Sequence, residues 1–330
     1  MSKLIAVFIF VPLIFFTILL GMIFIPVKRE SSGTGLNFDV LVTQPVNSME
    51  SQYMARDGQR LFYRYLPGSK ALVVMLLHGS GTEGRYLLPL AERLNRQSGA
   101  TVIVPDLRGH GRSILSRPGD IAYRDQFDDD IIDLQKKLAV DYPNAKWVLG
   151  GHSSGGGLAI RLGGRARLSL AENMLPNFDA YVLLAPYLSH DAPTVRTDSG
   201  GWVQVSVRRI IAIKLFNMLG VNQFNGMPVL FFNRPKHIND AMQLKSYSYR
   251  LMVSFSPENY QADLQANNKP ILLWVGDKDE AFYPHQFIHV MHEHASQAQV
   301  KIAPNITHLA LPGAVLIADD MASWLKQLSR

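Results

Sequence analysis

Residues 146–157, KWVLGGHSSGGG, decide the fold that this chain is predicted to have. The apolar residues 147–149 are typical of a short buried strand, and the glycines after them let the backbone reverse sharply because glycine has no Cβ. Residues 151–155, GHSSG, fit the pattern G-x-S-x-G, in which a tight strand-to-helix turn exposes a serine. The pattern selects Ser153, because Ser154 as the central serine would need a glycine where the chain has a histidine.

A pentapeptide of this kind is also compatible with a glycine-rich turn that only caps a helix. The distinction depends on the other groups that a serine nucleophile needs, since a base must take its proton and an acid must hold that base. On folds with such an elbow, the acid and the base follow the serine, on loops after later strands.

Two loops of the required kind follow in the required order. The strand predicted at residues 271–275 leads into residues 276–280, GDKDE, which supply candidate acids. The strand predicted at residues 300–302 leads into residues 305–308, NITH. Of the ten histidines in the chain, His308 is the one that follows the last strand, so it is the predicted base.

The composition limits the classes of protein to which the chain can belong. Its 330 residues suffice for one large α/β domain or two smaller ones, and the 47% hydrophobic content is typical of a globular protein. The absence of cysteine excludes disulfides, thiolate zinc sites and cysteine catalysis. The net charge of +6 is scattered along the chain without a basic run, so no nucleic-acid partner is expected.

The N-terminus predicts a membrane segment. Residues 4–27 are apolar except for one threonine, and a helix of this length at ~1.5 Å per residue crosses a ~30 Å hydrocarbon core. The run exceeds the ~7 to 15 apolar residues of a signal peptide, and no A-x-A-like cleavage site follows. We therefore expect a single-pass transmembrane anchor at residues 1–29, with a cleaved signal as the alternative. The flanking charges leave open on which side of the membrane the rest of the chain lies.

The remainder of the chain divides into a linker, a core and an insertion. Residues 30–49 are polar and are predicted to be a linker. Residues 50–186 and 266–330 alternate strands with helices, which predicts a mostly parallel sheet covered on both faces. Residues 187–265 lack this alternation, and we predict that they form a cap near the carboxyl ends of the strands. Their apolar residues can also simply pack the insertion onto the core.

The individual elements follow from hydrophobic periodicity and turn signals. A hairpin is expected around Asp57 and Gly58. Further strands are predicted at residues 71–77, 101–104, 147–149, 180–184, 271–275 and 300–302. Helices are predicted at residues 85–97, 127–142, 158–168, 284–295 and 311–328.

Short motifs recur in one order along the chain from about residue 52 to the C-terminus. They are HGSG at residues 78–81, DLRGHGRS at 106–113, GHSSG at 151–155, GDKD at 276–279, and His308. Each motif is weak alone, but in this order they resemble the serine α/β-hydrolases. Within that superfamily the chain is similar to the monoacylglycerol lipase, lysophospholipase and serine-aminopeptidase-like group.

This resemblance implies the α/β-hydrolase fold and a set of site residues. The family pattern G-x-x-D places the acid at Asp279 and makes Asp277 a turn residue. The resemblance also implies that the backbone N–H groups of Ser80 and Ser154 bind the oxyanion of the tetrahedral intermediate. Neither a cofactor nor a metal ion is expected.

The predicted function is a membrane-anchored serine hydrolase that cleaves carboxylic esters through an acyl-enzyme formed on Ser153. An apolar cap and a bilayer anchor favour a lipid acyl ester, such as a monoacylglycerol or a lysophospholipid. A small-ester esterase or an aminopeptidase would carry the same motifs. A non-catalytic, membrane-tethered binding protein on the same fold is a further alternative.

Another alternative comes from residues 79–84, GSGTEG, which fit the dinucleotide-binding pattern G-x-G-x-x-G with Asp106 after the next strand. A hairpin precedes this motif, although the dinucleotide pattern belongs to the first strand of its fold. The dinucleotide-binding hypothesis also leaves Ser153, Asp279 and His308 without a role.

Two clusters of polar side chains raise the question of a metal site. His285, His289 and His292 share one face of a predicted helix, where a solvated surface is the simpler interpretation. The acidic run at residues 128–130 suits the positive N-terminus of a helix, with metal binding as the alternative.

Overall fold

The computed structural model describes residues 2–28, 35–41, 45–168, 178–197, 201–233 and 244–328. Residues 30–34 and 42–44 of the predicted linker lie outside this set. Helix α1 (Ser2–Phe24) begins the chain. The described residues contain no helix with the length and hydrophobicity that a membrane span requires, so the transmembrane anchor predicted at residues 1–29 is not supported.

The core elements follow in chain order. They are β1 (Met49–Met54), β2 (Arg60–Leu66), β3 (Ser69–Leu77), α2 (Leu88–Ser98), β4 (Ala100–Pro105), α3 (Gln126–Ala139), β5 (Lys146–His152), α4 (Ser154–Leu168) and β6 (Ala180–Leu184). The segment that follows β6 contains β7 (Val203–Val205), α5 (Val207–Met218), β8 (Pro228–Phe232), β9 (Ser246–Ser248), α6 (Tyr249–Phe255) and α7 (Tyr260–Ala266). The chain then forms β10 (Ile271–Gly276), α8 (Pro284–His294), β11 (Ala298–Ala303) and α9 (Val315–Leu328).

The central sheet has eight strands in the order β1-β2-β4-β3-β5-β6-β10-β11. Strands β1 and β2 form the predicted hairpin, whose turn contains Gly58 with a φ of 78°. The pairs from β4 to β11 are parallel. Every residue of β4, β6 and β10 is buried, as expected for strands covered on both faces. The predicted mostly parallel sheet is confirmed.

Helix α4 begins earlier than the sequence predicts. It starts at Ser154 and not at residue 158, because β5 enters the helix through a single-residue turn at Ser153. The glycines in the first helical turn are required by close contacts with neighbouring backbone. A Cβ at Gly155 would lie 2.3 Å from the carbonyl oxygen of Leu77, and one at Gly157 would lie 2.1 Å from that of Tyr187.

Helices α2 and α9, in contrast, begin later than predicted, since each is preceded by a 3-10 turn. Gly84–Leu87 forms the first of these turns and Leu311–Gly313 the second. In both cases a proline lies close to the change of helix type, at Pro89 and Pro312. Proline has no amide to donate, so it suits the first turn of a helix and not its interior.

The segment between β6 and β10 occupies the place of the predicted cap. It contains an antiparallel sheet in the order β7-β8-β9, which the sequence did not predict. These strands have three to five residues, too few for a clear alternation of apolar and polar positions. The limits of the cap at residues 187–265 and of the other domains stay predictions.

Helix α1 packs against α5 of this segment. Leu19 and Ile23 are buried in a small core with Ala212, Ile213 and Phe216. Two arginines of α5 donate to carbonyl oxygens at the C-terminal end of α1. The last carbonyl oxygens of a helix have no hydrogen-bond partner within the helix. Arg209 Nε lies 2.8 Å from the oxygen of Ile23, and Arg208 Nη2 lies 2.6 Å from that of Ile25.

Candidate active site

Ser153 lies at the turn between β5 and α4 in a strained backbone conformation. Its φ is 55°, which residues other than glycine rarely adopt, and its side chain is mostly buried. Its amide donates to the oxygen of Leu184 over 2.9 Å. A Cβ at Gly151 would lie 2.3 Å from the carbonyl carbon of Gly155, which explains the first glycine of the motif. The local structure is therefore the tight elbow that the sequence predicts.

Asp279 lies in the loop after β10 and is 1% exposed. Its Oδ1 accepts hydrogen bonds from the amides of Ala281 (2.9 Å) and Phe282 (2.8 Å). Its Oδ2 lies 2.8 Å from Nδ1 of His308. Asp277, the other carboxylate of this loop, is exposed. The structure thus pairs His308 with the acid that the family pattern selects.

His308 is held from several sides and is 2% exposed. Its amide donates to Oε2 of Glu280 over 2.8 Å, and its ring lies 5.1 Å from that of Phe282. A carboxylate only accepts hydrogen bonds, so Nδ1 carries the proton and Nε2 has the lone pair. This tautomer is the one that a general base of this kind requires. Glu280, which the sequence analysis did not identify, thus binds the backbone of His308.

His152, which precedes Ser153 in the chain, contacts His308. Nε2 of His152 lies 3.1 Å from the backbone oxygen of His308, and the two rings lie 4.6 Å apart. Among the described residues, no hydrogen bond joins the side chains of Ser153 and His308. Such bonds commonly tighten only when substrate binds. The assignment of these residues to one triad therefore stays a prediction.

Ser80 and Ser154 lie together beside the elbow. Their hydroxyls are hydrogen-bonded to each other, although they are far apart in the chain. Ser154 is the first residue of α4, where amides have no partner inside the helix and the helix dipole is positive. A Cβ at Gly79 would lie 3.2 Å from Cβ of Ser153, so the turn that contains Ser80 contacts the elbow directly.

Buried neutral histidines surround the site. Burial lowers the pKa of His78 to about 4 and holds the pKa values of His110 and His152 well below their usual range. The nearby His308 lowers the pKa of His152 further. These three rings are therefore uncharged at neutral pH and serve as hydrogen-bonding groups of fixed tautomer. The sequence analysis assigned no role to any of them.

The geometry around Asp106 argues against the dinucleotide alternative. Its carboxylate is 1% exposed and accepts from Arg64 Nη1 (2.6 Å) and from the amides of Gly84 and Arg112 (both 2.9 Å). In the dinucleotide pattern this acid binds the ribose of the ligand. Here the acid is occupied by groups of the protein itself.

Neither cluster of polar side chains forms a metal site in the part of the chain that the structure describes. There, no group of three or more His, Cys, Asp or Glu residues could hold a metal ion. The acidic run at residues 128–130 is paired with arginines. Asp128 pairs with Arg161, Asp129 with Arg56, and Asp130 with Arg108.

Known proteins of similar fold include monoglyceride lipases. A monoacylglycerol lipase of Paleococcus ferrophilus matches with a TM-score of 0.60 and 18% identity, over 82% of this chain and 99% of the other. A soluble variant of monoglyceride lipase from Saccharomyces cerevisiae, in complex with a substrate analogue, matches with a TM-score of 0.61 and 17% identity. That match covers 92% of this chain and 99% of the other.

Two sequence comparisons add to this likeness. A probable protein phosphatase methylesterase 1 of Caenorhabditis elegans is 34% identical over 104 residues. The match covers 32% of this chain and spans only 28% of the length of that relative. The family model described as serine aminopeptidase, S33, matches residues 68–312, a range that holds Ser153, Asp279 and His308. The predicted serine hydrolase with an α/β-hydrolase fold is confirmed, and the chain belongs to the serine aminopeptidase S33 family.

Proposed function

We propose that this protein hydrolyses carboxylic esters through an acyl-enzyme on Ser153, with His308 as the general base and Asp279 as its orienting acid. The observation that carries the proposal is the buried hydrogen bond of 2.8 Å between His308 and Asp279, on loops next to the strained serine turn. An activated serine needs a base held in this tautomer by an acid.

Each group has one role in the proposed reaction. His308 Nε2 takes the hydroxyl proton of Ser153 as the serine oxygen attacks the ester carbonyl. The amides of Ser80 and Ser154 stabilise the oxyanion, and His308 then gives the proton to the leaving alcohol. Water repeats the sequence on the acyl-enzyme, again with His308 as base, and the acid product leaves. Asp279 stabilises the imidazolium in both halves of the reaction.

The proposed substrate is a lipid acyl ester of the monoacylglycerol or lysophospholipid type. Aromatic side chains of the predicted cap lie next to the turn that contains Ser80. The ring of Phe232 would lie 3.2 Å from a Cβ at Gly81. Trp202 stacks on Phe232 with ring centroids 5.2 Å apart. An apolar wall at this place favours an acyl chain, because burying a chain gains about 0.8 kcal/mol per CH₂.

The experiment is a comparison of acetyl, octanoyl and palmitoyl esters of one alcohol, for the wild type and for Ser153→Ala. We expect kcat/KM to rise with chain length in the wild type and to be lost for every ester in the variant. Equal turnover of acetyl and palmitoyl esters would contradict the lipid assignment. Ester hydrolysis that survives in Ser153→Ala would contradict the assignment of the nucleophile.

A second candidate is an aminopeptidase, which the description of the matching family favours. The same serine, histidine and acid would then act on the amide bond after an N-terminal residue. Aminoacyl anilides distinguish the two candidates when they are assayed beside the esters. A kcat/KM for an anilide above that for every ester would favour the peptidase.

We also propose that helix α1 attaches the protein to a membrane. Large apolar side chains of this helix are exposed, among them Leu13, Ile14 and Ile18, each more than half accessible. Exposed apolar side chains in such number are typical of a surface that contacts lipid or protein. The polar residues that precede the core would then hold it away from the bilayer.

Fractionation of the full chain tests this attachment. We expect the wild type in the membrane fraction, released by detergent and not by salt. The double variant Ile14→Asp/Ile18→Asp is expected to shift towards the supernatant, because charged groups are costly in hydrocarbon. Val140→Asp, at an exposed apolar position near the end of α3, is the control and is expected to behave as the wild type. A wild type that stays in the supernatant would contradict the proposal.

A further inference from the structure

The turn that contains Ser80 has three successive backbone amides, and two of them are bound by tyrosine hydroxyls. The amide of Gly79 donates to Oη of Tyr86 over 2.7 Å. The amide of Gly81 donates to Oη of Tyr247 over 2.6 Å. Among the described residues, the amide of Ser80 between them has no hydrogen-bond partner.

Each tyrosine hydroxyl lies in turn against a buried histidine nitrogen. Oη of Tyr86 is 2.9 Å from Nδ1 of His152, and Oη of Tyr247 is 2.6 Å from Nε2 of His110. The turn thus has two matching supports, each of which consists of a glycine amide, a tyrosine and a histidine. Both supports are buried, so their hydrogen bonds do not compete with solvent.

The second nitrogen of each histidine fixes the direction of these bonds. Nε2 of His152 lies 3.1 Å from the oxygen of His308, and Nδ1 of His110 lies 3.0 Å from the oxygen of Arg108. A carbonyl oxygen only accepts, so these two nitrogens carry the ring protons. The other nitrogen of each ring must then accept from the tyrosine. Every donor in both supports therefore has an acceptor.

The charge state of the histidines agrees with this arrangement. A protonated imidazole has two donors and no acceptor, so it could not accept from a tyrosine hydroxyl. Burial lowers the pKa of His110 and of His152 well below the usual range, which keeps both rings neutral.

We infer that Tyr86 and Tyr247 are positioning residues of the oxyanion hole. They hold the amides on both sides of Ser80, so that the Ser80 amide alone is left in this turn to bind the oxyanion. The inference rests on the proposed hydrolysis at Ser153. It assigns the tyrosines no direct contact with the substrate; they act through the backbone of the turn.

The two supports differ in origin. Tyr86 belongs to the 3-10 turn that precedes α2, whereas Tyr247 belongs to β9 in the predicted cap. The cap contacts the same turn again where the amide of Leu244 donates to the oxygen of Gly81 over 3.0 Å. The position of the oxyanion donor therefore depends on the cap as well as on the core.

The test compares Tyr86→Phe and Tyr247→Phe with Tyr53→Phe. Tyr53 is also buried, but it lies in β1 against Tyr63 and away from the turn. For each positioning variant we expect kcat to fall about ten- to a hundredfold while KM stays close to the wild-type value, because a small misplacement of an oxyanion donor acts on the transition state. Affinity for a boronic acid that mimics the tetrahedral intermediate is expected to fall by the same factor. Tyr53→Phe is expected to retain the wild-type kcat.

The outcome separates positioning from general destabilisation. Melting curves identify any variant that fails to fold. Folded Tyr86→Phe and Tyr247→Phe enzymes with wild-type kcat and boronate affinity would overturn the inference. So would losses of the same size in Tyr53→Phe.

Nitrogen NMR of labelled histidines in the full chain tests the supports without any turnover. We expect neutral rings with the proton on Nε2 of His152 and on Nδ1 of His110, and a shift of the accepting nitrogen when its tyrosine is replaced by phenylalanine. The opposite tautomers would overturn the inference even in an active enzyme. A wild type without hydrolytic activity would contradict the proposed function, and the tautomers would still decide whether the supports exist.

Discussion

Nδ1 of His308 donates a hydrogen bond of 2.8 Å to Oδ2 of Asp279, and both side chains are almost completely buried. The other oxygen of Asp279 accepts from the amides of Ala281 and Phe282. The carboxylate is therefore fixed in orientation as well as in position. Asp277, two residues earlier in the same loop, is exposed.

This difference predicts opposite results for two similar substitutions. In Asp279→Asn, the amide oxygen would keep the two backbone donors and turn the NH₂ group towards His308. Nδ1 would then have to accept, so the ring proton would move to Nε2 and the base would be lost. We expect kcat to fall about 10⁴-fold, measured by ester hydrolysis. Asp277→Asn is expected to stay close to the wild-type rate, and equal losses in the two variants would contradict the assignment of the acid.

The loss of a buried arginine of α4 is expected to lower the stability of the fold. Arg161 is fully buried and binds Asp128 of α3 and the backbone oxygen of Ser254 in α6. Arg161→Met would leave Asp128 buried with only the partial compensation of Arg165. We expect the free energy of unfolding to fall by about 3 kcal/mol in urea denaturation.

Arg93→Met is the matched control for this measurement. Arg93 pairs with Asp319 at the surface, where solvent screens an ion pair and its contribution is small. The control is expected to unfold near the wild-type midpoint. A similar loss in both variants would show that the buried network has no special importance for the fold.

The neutral histidines predict a loss of stability in weak acid. Burial lowers the pKa of His78 from 6.5 to about 4, so between these values the unfolded chain binds more protons than the folded one. The contribution of His78 to stability is therefore complete above pH 6.5 and is lost as the pH falls towards 4. For this residue alone the loss between pH 7 and pH 5 is about 2 kcal/mol.

Replacement of His78 by asparagine tests this dependence, since asparagine does not titrate. We expect the variant to be less stable than the wild type at pH 7 but to lose less stability on going to pH 5. The measurement is urea denaturation at both pH values. Parallel losses in the two proteins would contradict the assignment of the acid sensitivity to His78.

Much of the core could be predicted from the sequence because strand, turn and helix signals are local. The continuous apolar run before Gly276 predicts β10, and the pattern G-x-S-x-G predicts the strand-to-helix turn at Ser153. The bounds were less secure: the sequence predicted α4 from residue 158, whereas the helix starts at Ser154. Glycine is a poor helix former in isolation, and here close packing on Leu77 and Tyr187 overrides that preference.

The supports of the site could not be predicted, because they depend on contacts between distant segments. Tyr247 binds the amide of Gly81 from 166 positions away in the chain, and the short strand that carries it has no clear periodicity. His152 was visible only as the variable residue of the serine motif. Glu280 was one of several acidic residues in its loop, and its bond to the amide of His308 follows from the fold alone.

The central claim is that Ser153 is an activated nucleophile, and labelling with a fluorophosphonate probe tests it most directly. The measurement compares the wild type, Ser153→Ala and heat-denatured wild type. We predict that folded wild type is labelled and that the other two samples are not, because the reaction requires both the serine and its base in place. Labelling that persists in Ser153→Ala, or folded wild type that is not labelled, would contradict the claim.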